Sequence, residues 1–218
     1  VTTPAIPNHA VQLSPLDNIP PLTFSTPESF FPLPLAVTPD ERATLSAAFV
    51  RDLYSRGDDS LWTPAAPYYA ALAEQLALSG LSYSAMGLFS TDDGGVVQCA
   101  FTVAAVETDQ TDPETAAQGI LAALASDPTN DARWLDLPCG PAVTCVTLRE
   151  ITLTSEITAS GNEERLLTGQ IQTHVPFPTA PYTAVFTLHT ASTEYWGEFC
   201  DMTVEILRTV AFTNDTSG

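Results

Sequence analysis

Hydrophobic and polar positions change period several times along the chain, and each change marks an element. Thr38-Pro39-Asp40-Glu41 combines an N-cap hydroxyl, a proline suited to the first helical turn and a glutamate three residues after the cap. Leu45, Ala48, Phe49 and Leu53 follow at helical spacing until Gly57-Asp58-Asp59. A second helix is expected from Thr63-Pro64 through Tyr68, Tyr69, Leu72 and Leu76 to Gly80. The period then drops to two. Residues 81–90 and 95–106 read as strands joined by the turn sequence Asp92-Asp93-Gly94-Gly95, with Val97, Cys99, Phe101, Val103 and Ala105 on one face. Asp112-Pro113-Glu114 opens a third helix that carries Ile120, Leu121 and Leu124 and stops before Asp127-Pro128.

Four more strands follow, at about 132–138, 142–153, 165–176 and 181–190, with turns at Gly140-Pro141, Ser160-Gly161-Asn162 and Pro176-Phe177-Pro178. In the third of these, Leu167, Gly169, Ile171, Thr173 and Val175 share one face, and Thr168, Gln170, Gln172 and His174 the other. In the fourth, Tyr182, Ala184, Phe186 and Leu188 face inward, and Thr183, Val185, Thr187 and His189 outward. With Val175 opposite Tyr182 in a hairpin, His174 faces Thr183 and His189 faces Thr168, about 20 Å apart. A last helix starts at an N-cap Ser192 and runs to about Thr209. Trp196, Phe199, Cys200, Thr203, Ile206, Leu207 and Val210 form its inner side, while Glu194, Glu198, Asp201 and Glu205 form an acidic outer stripe.

These elements predict an α+β fold: an antiparallel six-stranded sheet, made of a hairpin, a helix and a four-strand meander, packed by helices. Residues 1–37 hold eight of the 18 prolines and read as an extended arm, lying on the domain's own surface or docking on a partner. A single domain is expected over 38–213, with a helical N-terminal extension at 38–80, a core at 81–213 and a disordered tail at 214–218.

Charge changes the picture most. The chain has 26 acidic residues, 7 arginines and no lysine, a formal charge of −19. Such a surface opposes nucleic acid and anionic membranes, which need clustered cations. Without lysine there is no phosphate-loop lysine, Schiff-base lysine or Ser-Lys dyad. No apolar run reaches the roughly 18 residues of a membrane span. No basic segment followed by an apolar one opens the chain, so a cytoplasmic location is expected, with a processed secreted chain as the alternative.

No metal, cofactor or catalytic residue is expected. His9, His174 and His189 stand at no ligand spacing, and Cys99, Cys139, Cys145 and Cys200 form no CxxC pair. Cys99 and Cys200 read as small buried apolar residues. Cys139 and Cys145 flank Gly140-Pro141 and could face each other across a five-residue loop. The paired acids Asp58-Asp59, Asp92-Asp93 and Glu163-Glu164 fall in turns, where acids are common.

The run Gly169-Gln-Ile-Gln-Thr-His-Val-Pro-Phe-Pro, then Tyr182-Thr-Ala-Val-Phe-Thr-Leu, then a helix closing on Phe199 and Ile206-Leu207-Arg208-Thr209-Val210-Ala211-Phe212 resembles the Mog1/PsbP-like superfamily, including actinobacterial proteins of the LpqN type. The resemblance covers the chain from about 81 to 212. It implies an α/β/α sandwich around an antiparallel sheet. It also implies a protein-binding role, since such proteins mostly bind a small GTPase, photosystem subunits or secretion effectors. It carries over no catalytic residue.

The functional expectation is therefore an acidic, soluble, non-enzymatic protein-binding, adaptor or chaperone-like domain whose partner presents a basic or mixed surface. Its expected binding surface joins the helix stripe Glu194, Glu198, Asp201 and Glu205 to a polar sheet face beside it, with Gln170, Gln172, His174, Thr183 and Thr187. The alternatives are a hydrolase-type enzyme using carboxylates or a cysteine, and a carrier of a small apolar ligand or lipid.

Overall fold

The structure, a computed structural model, describes residues 9–13, 19–35, 38–156, 158 and 160–212. The tail expected at 214–218 lies outside the described residues. The Thr38 hydroxyl accepts from the Glu41 amide at 3.3 Å, capping α1 (Pro39–Leu53), and donates to the Glu41 carboxylate at 2.6 Å, so the box closes side chain to side chain and not through the Thr38 amide. Thr38→Ala is expected to cost about 1 kcal/mol, seen as a lower urea midpoint with an unchanged m value. An unchanged midpoint would mean that the box adds nothing.

Helix α2 spans Asp59–Leu78 and starts earlier than Thr63-Pro64. Its cap is Asp58, whose carboxylate accepts from the Ser60 amide at 2.9 Å. Pro64 and Pro67 thus lie inside the helix, on its exposed side, where water can take the carbonyls they leave unpaired.

The strands follow as β1 (His9–Leu13), β2 (Leu22–Thr26), β3 (Phe30–Pro32), β4 (Leu81–Ser90) and β5 (Val96–Glu107). After α3 (Pro113–Ala125) come β6 (Asp131–Leu137), β7 (Gly140–Leu153), β8 (Glu164–Pro176) and β9 (Tyr182–Thr190). A 3-10 turn at Thr193–Tyr195 leads into α4 (Trp196–Arg208), and β10 (Ala211–Phe212) follows. Ser192 makes no side-chain cap, contrary to expectation; its amide instead donates to the Thr190 hydroxyl at 3.0 Å.

All strand pairs are antiparallel. The main sheet has seven strands in the order β3-β4-β5-β9-β8-β7-β6, and a second sheet has the order β1-β2-β10. The six expected strands are all present. The seventh is β3, from the proline-rich arm, with Pro32 tolerated on an edge strand. The arm is therefore not confined to the surface. Leu22 and Phe24 are each 1% exposed, inside the principal core.

That core lies on one side of the main sheet. Phe101, Phe186, Val103 and Leu188 meet Phe24 of β2 and Phe199, Ile206 and Leu207 of α4. This side is here called the α4 face. On it, the indole of Trp196 lies against Gly169, where no side chain would fit. The opposite side carries α2, packed through Leu72 and Leu76 toward Met86 of β4, and α3, packed over β6, β7 and β8. It is here called the α2–α3 face.

The β8–β9 register is Val175 opposite Ala184 and Pro176 opposite Thr183, two residues from the expected pairing. Buried Phe177 extends the hairpin by donating its amide to the Tyr182 carbonyl at 2.8 Å. A two-residue shift keeps every side chain on its expected face. It places His174 opposite Val185 and His189 opposite Gln170, so the two histidines are four residues apart, about 13 Å.

Past Val146, β7 has no β6 partner, and before Gly169, β8 has no β9 partner. Thr147–Leu153 and Glu164–Thr168 thus continue as a two-stranded ribbon. Leu148 and Leu167 on it are 58% and 47% exposed.

Candidate functional site

The sheet separates the two halves of the expected binding surface. Glu198 and Asp201 are exposed and Glu205 half-exposed on α4, which covers the α4 face, while Glu194, expected on the same helix, is exposed in the 3-10 turn before it. Gln170, Gln172, His174, Thr183 and Thr187 all belong to the α2–α3 face, by their pairing with β7 and β9. The acidic stripe and the polar face therefore do not adjoin, because the apolar side of α4 follows Phe101 and Phe186. Glu205 is further engaged by Arg208 one turn along.

The α2–α3 face is unevenly covered. Thr183 is 2% exposed and so unavailable to a partner. His174 and Gln172 are half-buried on the strip that α3 crosses. His174 Nε2 lies 3.1 Å from Gln172 Oε1, and Gln172 Nε2 donates to the Thr187 hydroxyl at 3.5 Å. This polar network serves the packing of the sheet more than an outside ligand.

Burial holds His174 below its ordinary pKa, so it is neutral in the fold. The unfolded chain binds the proton more readily. The contribution of His174 to stability is therefore complete above about pH 6.5 and declines as pH falls toward the depressed folded value. Urea titrations at pH 7.5 and 5.5 are expected to show a loss that His174→Gln reduces. An equal loss in both proteins would exclude His174 as its source.

The open part of this face runs along β5 and β9. Gln98, Ala100 and His189 are exposed, and Thr102, Ala104, Val185 and Thr187 are half-buried. Of these, Gln98, Ala100, Thr102 and His189 form the floor of a cleft, a hollow of about 400 Å³. Leu72 and Leu76 of α2 wall one side of it, and Ile151 and Leu166 of the ribbon wall the other. Among the described residues lining the hollow there is no carboxylate and no arginine; the polar groups are Ser84, Gln98, Thr102, Thr168, His189 and Thr190. Sequence reading reached β8 and β9 of this face but missed Gln98, Ala100 and Thr102. Their signal was the complement of the apolar alternation Val97–Ala105.

Among the described residues, no thiol opens into the cleft. The Cys99 backbone borders it, but the thiol is buried on the α4 face, where burial raises its pKa to about 12. Cys200 is half-buried on α4, not fully buried as expected; burial and then Asp201 raise its pKa. Cys139 and Cys145 are free thiols. The turn between β6 and β7 is only Pro138-Cys139, and Cys145 sits along β7 opposite Ala132, so they cannot meet. Among the described residues, no group of three His, Cys, Asp or Glu side chains could hold a metal. No described helix is long and apolar enough to cross a membrane. No protein-family model matches the chain, and no curated protein matches it.

Proposed function

We propose that this chain is a Mog1/PsbP-type, non-enzymatic protein-binding or adaptor domain that recognises its partner through the cleft on the α2–α3 face. One observation carries the reading. A protein of net charge −19 keeps carboxylates out of the hollow it leaves open. A sheet face evolved only for water would carry charged side chains, as the exposed side of α4 does. Ala100 and Thr102 instead offer an uncharged floor on which another backbone can approach closely. The surrounding negative field speeds the approach of a partner with a basic or mixed surface and disfavours nucleic acid.

The reading is tested by charging the floor. Ala100 is exposed, so Ala100→Glu leaves the core intact. It is expected to weaken partners captured by the wild type at least tenfold. Neutralising Glu194, Glu198, Asp201 and Glu205 together is expected to alter mainly the salt dependence of binding, since that stripe lies across the sheet. Full retention of every partner by Ala100→Glu would overturn the reading.

A second reading rests on the size of the hollow. About 400 Å³ with apolar walls falls in the range of single-ligand sites. A small-ligand carrier would hold an apolar molecule through native mass spectrometry and lose it in Ala100→Glu.

A further inference from the structure

We infer that the outer edge of β6 is a second docking surface, apart from the cleft, for an extended segment of a partner chain that alternates Lys or Arg with apolar residues and adds a strand to the main sheet. β6 is the last strand of that sheet, and among the described residues no backbone pairs with its outer side. Its register with β7 runs unbroken from Asp131 opposite Val146 to Leu137 opposite Gly140. In an antiparallel pair, alternate residues turn their N–H and C=O away from the partner strand. A row of main-chain donors and acceptors therefore faces outward along β6. Proteins blunt such edges with a bulge, a proline or a lysine. Residues 131–137 hold none of these, and their one cation, Arg133, is taken up by Asp131 at 2.8 Å. The edge strand at the other side of the sheet, β3, is only three residues long and ends in Pro32.

A hollow opens on each side of this edge. Trp134 lies opposite Val143, which lies opposite His174, so Trp134 and Asp136 belong to the α2–α3 face. There the first turn of α3 and the strand border a hollow of about 850 Å³, whose lining includes Asp112, Glu114, Leu121, Trp134 and Asp136. Leu135 and Leu137 alternate onto the α4 face. There they border a hollow of about 600 Å³ together with Pro138, Val204, Leu207 and Arg208. The side chains of an added strand alternate in the same way, so its successive residues point to the two hollows in turn.

The edge supplies the site, and the charges select its occupant. The lining of the hollow beside α3 holds three carboxylates and no arginine. Asp112 accepts from the Thr115 amide at 2.8 Å and Asp136 from the Trp134 indole at 2.9 Å. Neither donor is a cation, so both charges remain, and Glu114 beside them is exposed. The N-terminus of α3 offsets about half a charge, which leaves this hollow acidic. On the other side the leucines stand next to Arg208, which would repel a second cation. Lys or Arg therefore suits the α3 side of the added strand and an apolar side chain the α4 side. A second copy of this chain is a poor occupant: its own β6 would bring Asp131 and Asp136 to the same acids, and each copy carries a net charge of −19.

The test uses the full chain and a capped seven-residue peptide of alternating lysine and valine. One derivative is N-methylated at its lysine amides, another at its valine amides, and a third has glutamate for lysine. A methylated amide cannot donate, and only one set of amides can face β6. One methylated peptide is therefore expected to bind like the parent and the other at least tenfold more weakly, as is the glutamate peptide. Saturating lysine peptide is expected to slow amide exchange between Ala132 and Asp136. Glu114→Gln/Asp136→Asn is expected to weaken the lysine peptide at least tenfold. Asp52→Asn/Glu163→Gln, which removes the same charge from α1 and from the turn between β7 and β8, is expected to change it less than threefold. Ala100→Glu, in the cleft, is expected to change it as little.

No binding of the lysine peptide, equal binding of the two methylated peptides, equal binding of the glutamate peptide, or unchanged binding after Glu114→Gln/Asp136→Asn would each overturn the edge site. Loss of the peptide in Ala100→Glu would place it in the cleft and overturn the edge site as well. So would a dimer whose β6 amides are protected without peptide, which would give the edge to a second copy.

Discussion

Gly169→Ala is expected to destabilise the protein by about 3 kcal/mol, and Gly169→Val by more, although neither changes charge or adds a polar group. A methyl at Gly169 would stand only 2.2 Å from Trp196 Cζ3, 2.7 Å from Cε3 and 3.0 Å from Cη2. All three are atoms of the six-membered ring of the indole, so the ring must shift to admit the methyl. Trp196 is the first residue of α4, so moving it displaces the end of the helix that closes the core through Phe199, Ile206 and Leu207. For a chain of this length, about 3 kcal/mol corresponds to a fall in Tm of about 6–12 °C. The double variant Gly169→Ala/Trp196→Ala is expected to be more stable than the sum of its single variants predicts, because removing the indole removes the collision that the added methyl creates. Strict additivity by thermal unfolding would mean that the indole does not rest on Gly169.

Phe24→Ala is expected to cost about 3–5 kcal/mol, as large a loss as at the centre of the sheet. Phe24 comes from the proline-rich stretch yet stands edge-on to Tyr83 at 5.3 Å, Phe186 at 5.5 Å and Phe101 at 6.1 Å. Each such pair adds to the burial of the ring itself. The Thr209 hydroxyl, accepting from the Ser25 amide at 2.8 Å, ties the same strand to the end of α4. A cost under about 1 kcal/mol by urea unfolding would return this segment to the role of a surface arm.

Elements announced by neighbouring residues were legible in the sequence. Thr38 with Glu41, Asp112 before α3 and the Asp92–Gly95 turn all depend on contacts within a few positions. The Asp112 carboxylate accepts from the Thr115 amide at 2.8 Å, and Gly94 takes a positive φ of 83°. In β2, the alternation Leu22-Thr23-Phe24-Ser25-Thr26 was present but was outweighed by the prolines around it. The side of the sheet on which α4 packs was not legible at all. Two stripes on one helix determine which face is apolar, but not which face of a distant sheet receives it. The cleft was half legible for the same reason: β8 and β9 are joined by a short hairpin, whereas β5 reaches β9 by pairing Phe101 with Leu188, across a long stretch of chain.

The ribbon at the far end of β7 and β8 separates grip from scaffold. A pair of strands with no third neighbour gains little stability of its own, so this tip should open far more often than the sheet behind it. Amide exchange at Arg149–Leu153 should accordingly outpace exchange at Val143–Val146, where β6 and β8 hold β7 from both sides. Ile151 and Leu166 form one lip of the cleft on that tip. The lip can flex while the aromatic centre keeps its register, so substitutions there can change how long a guest is held without touching what keeps the domain folded.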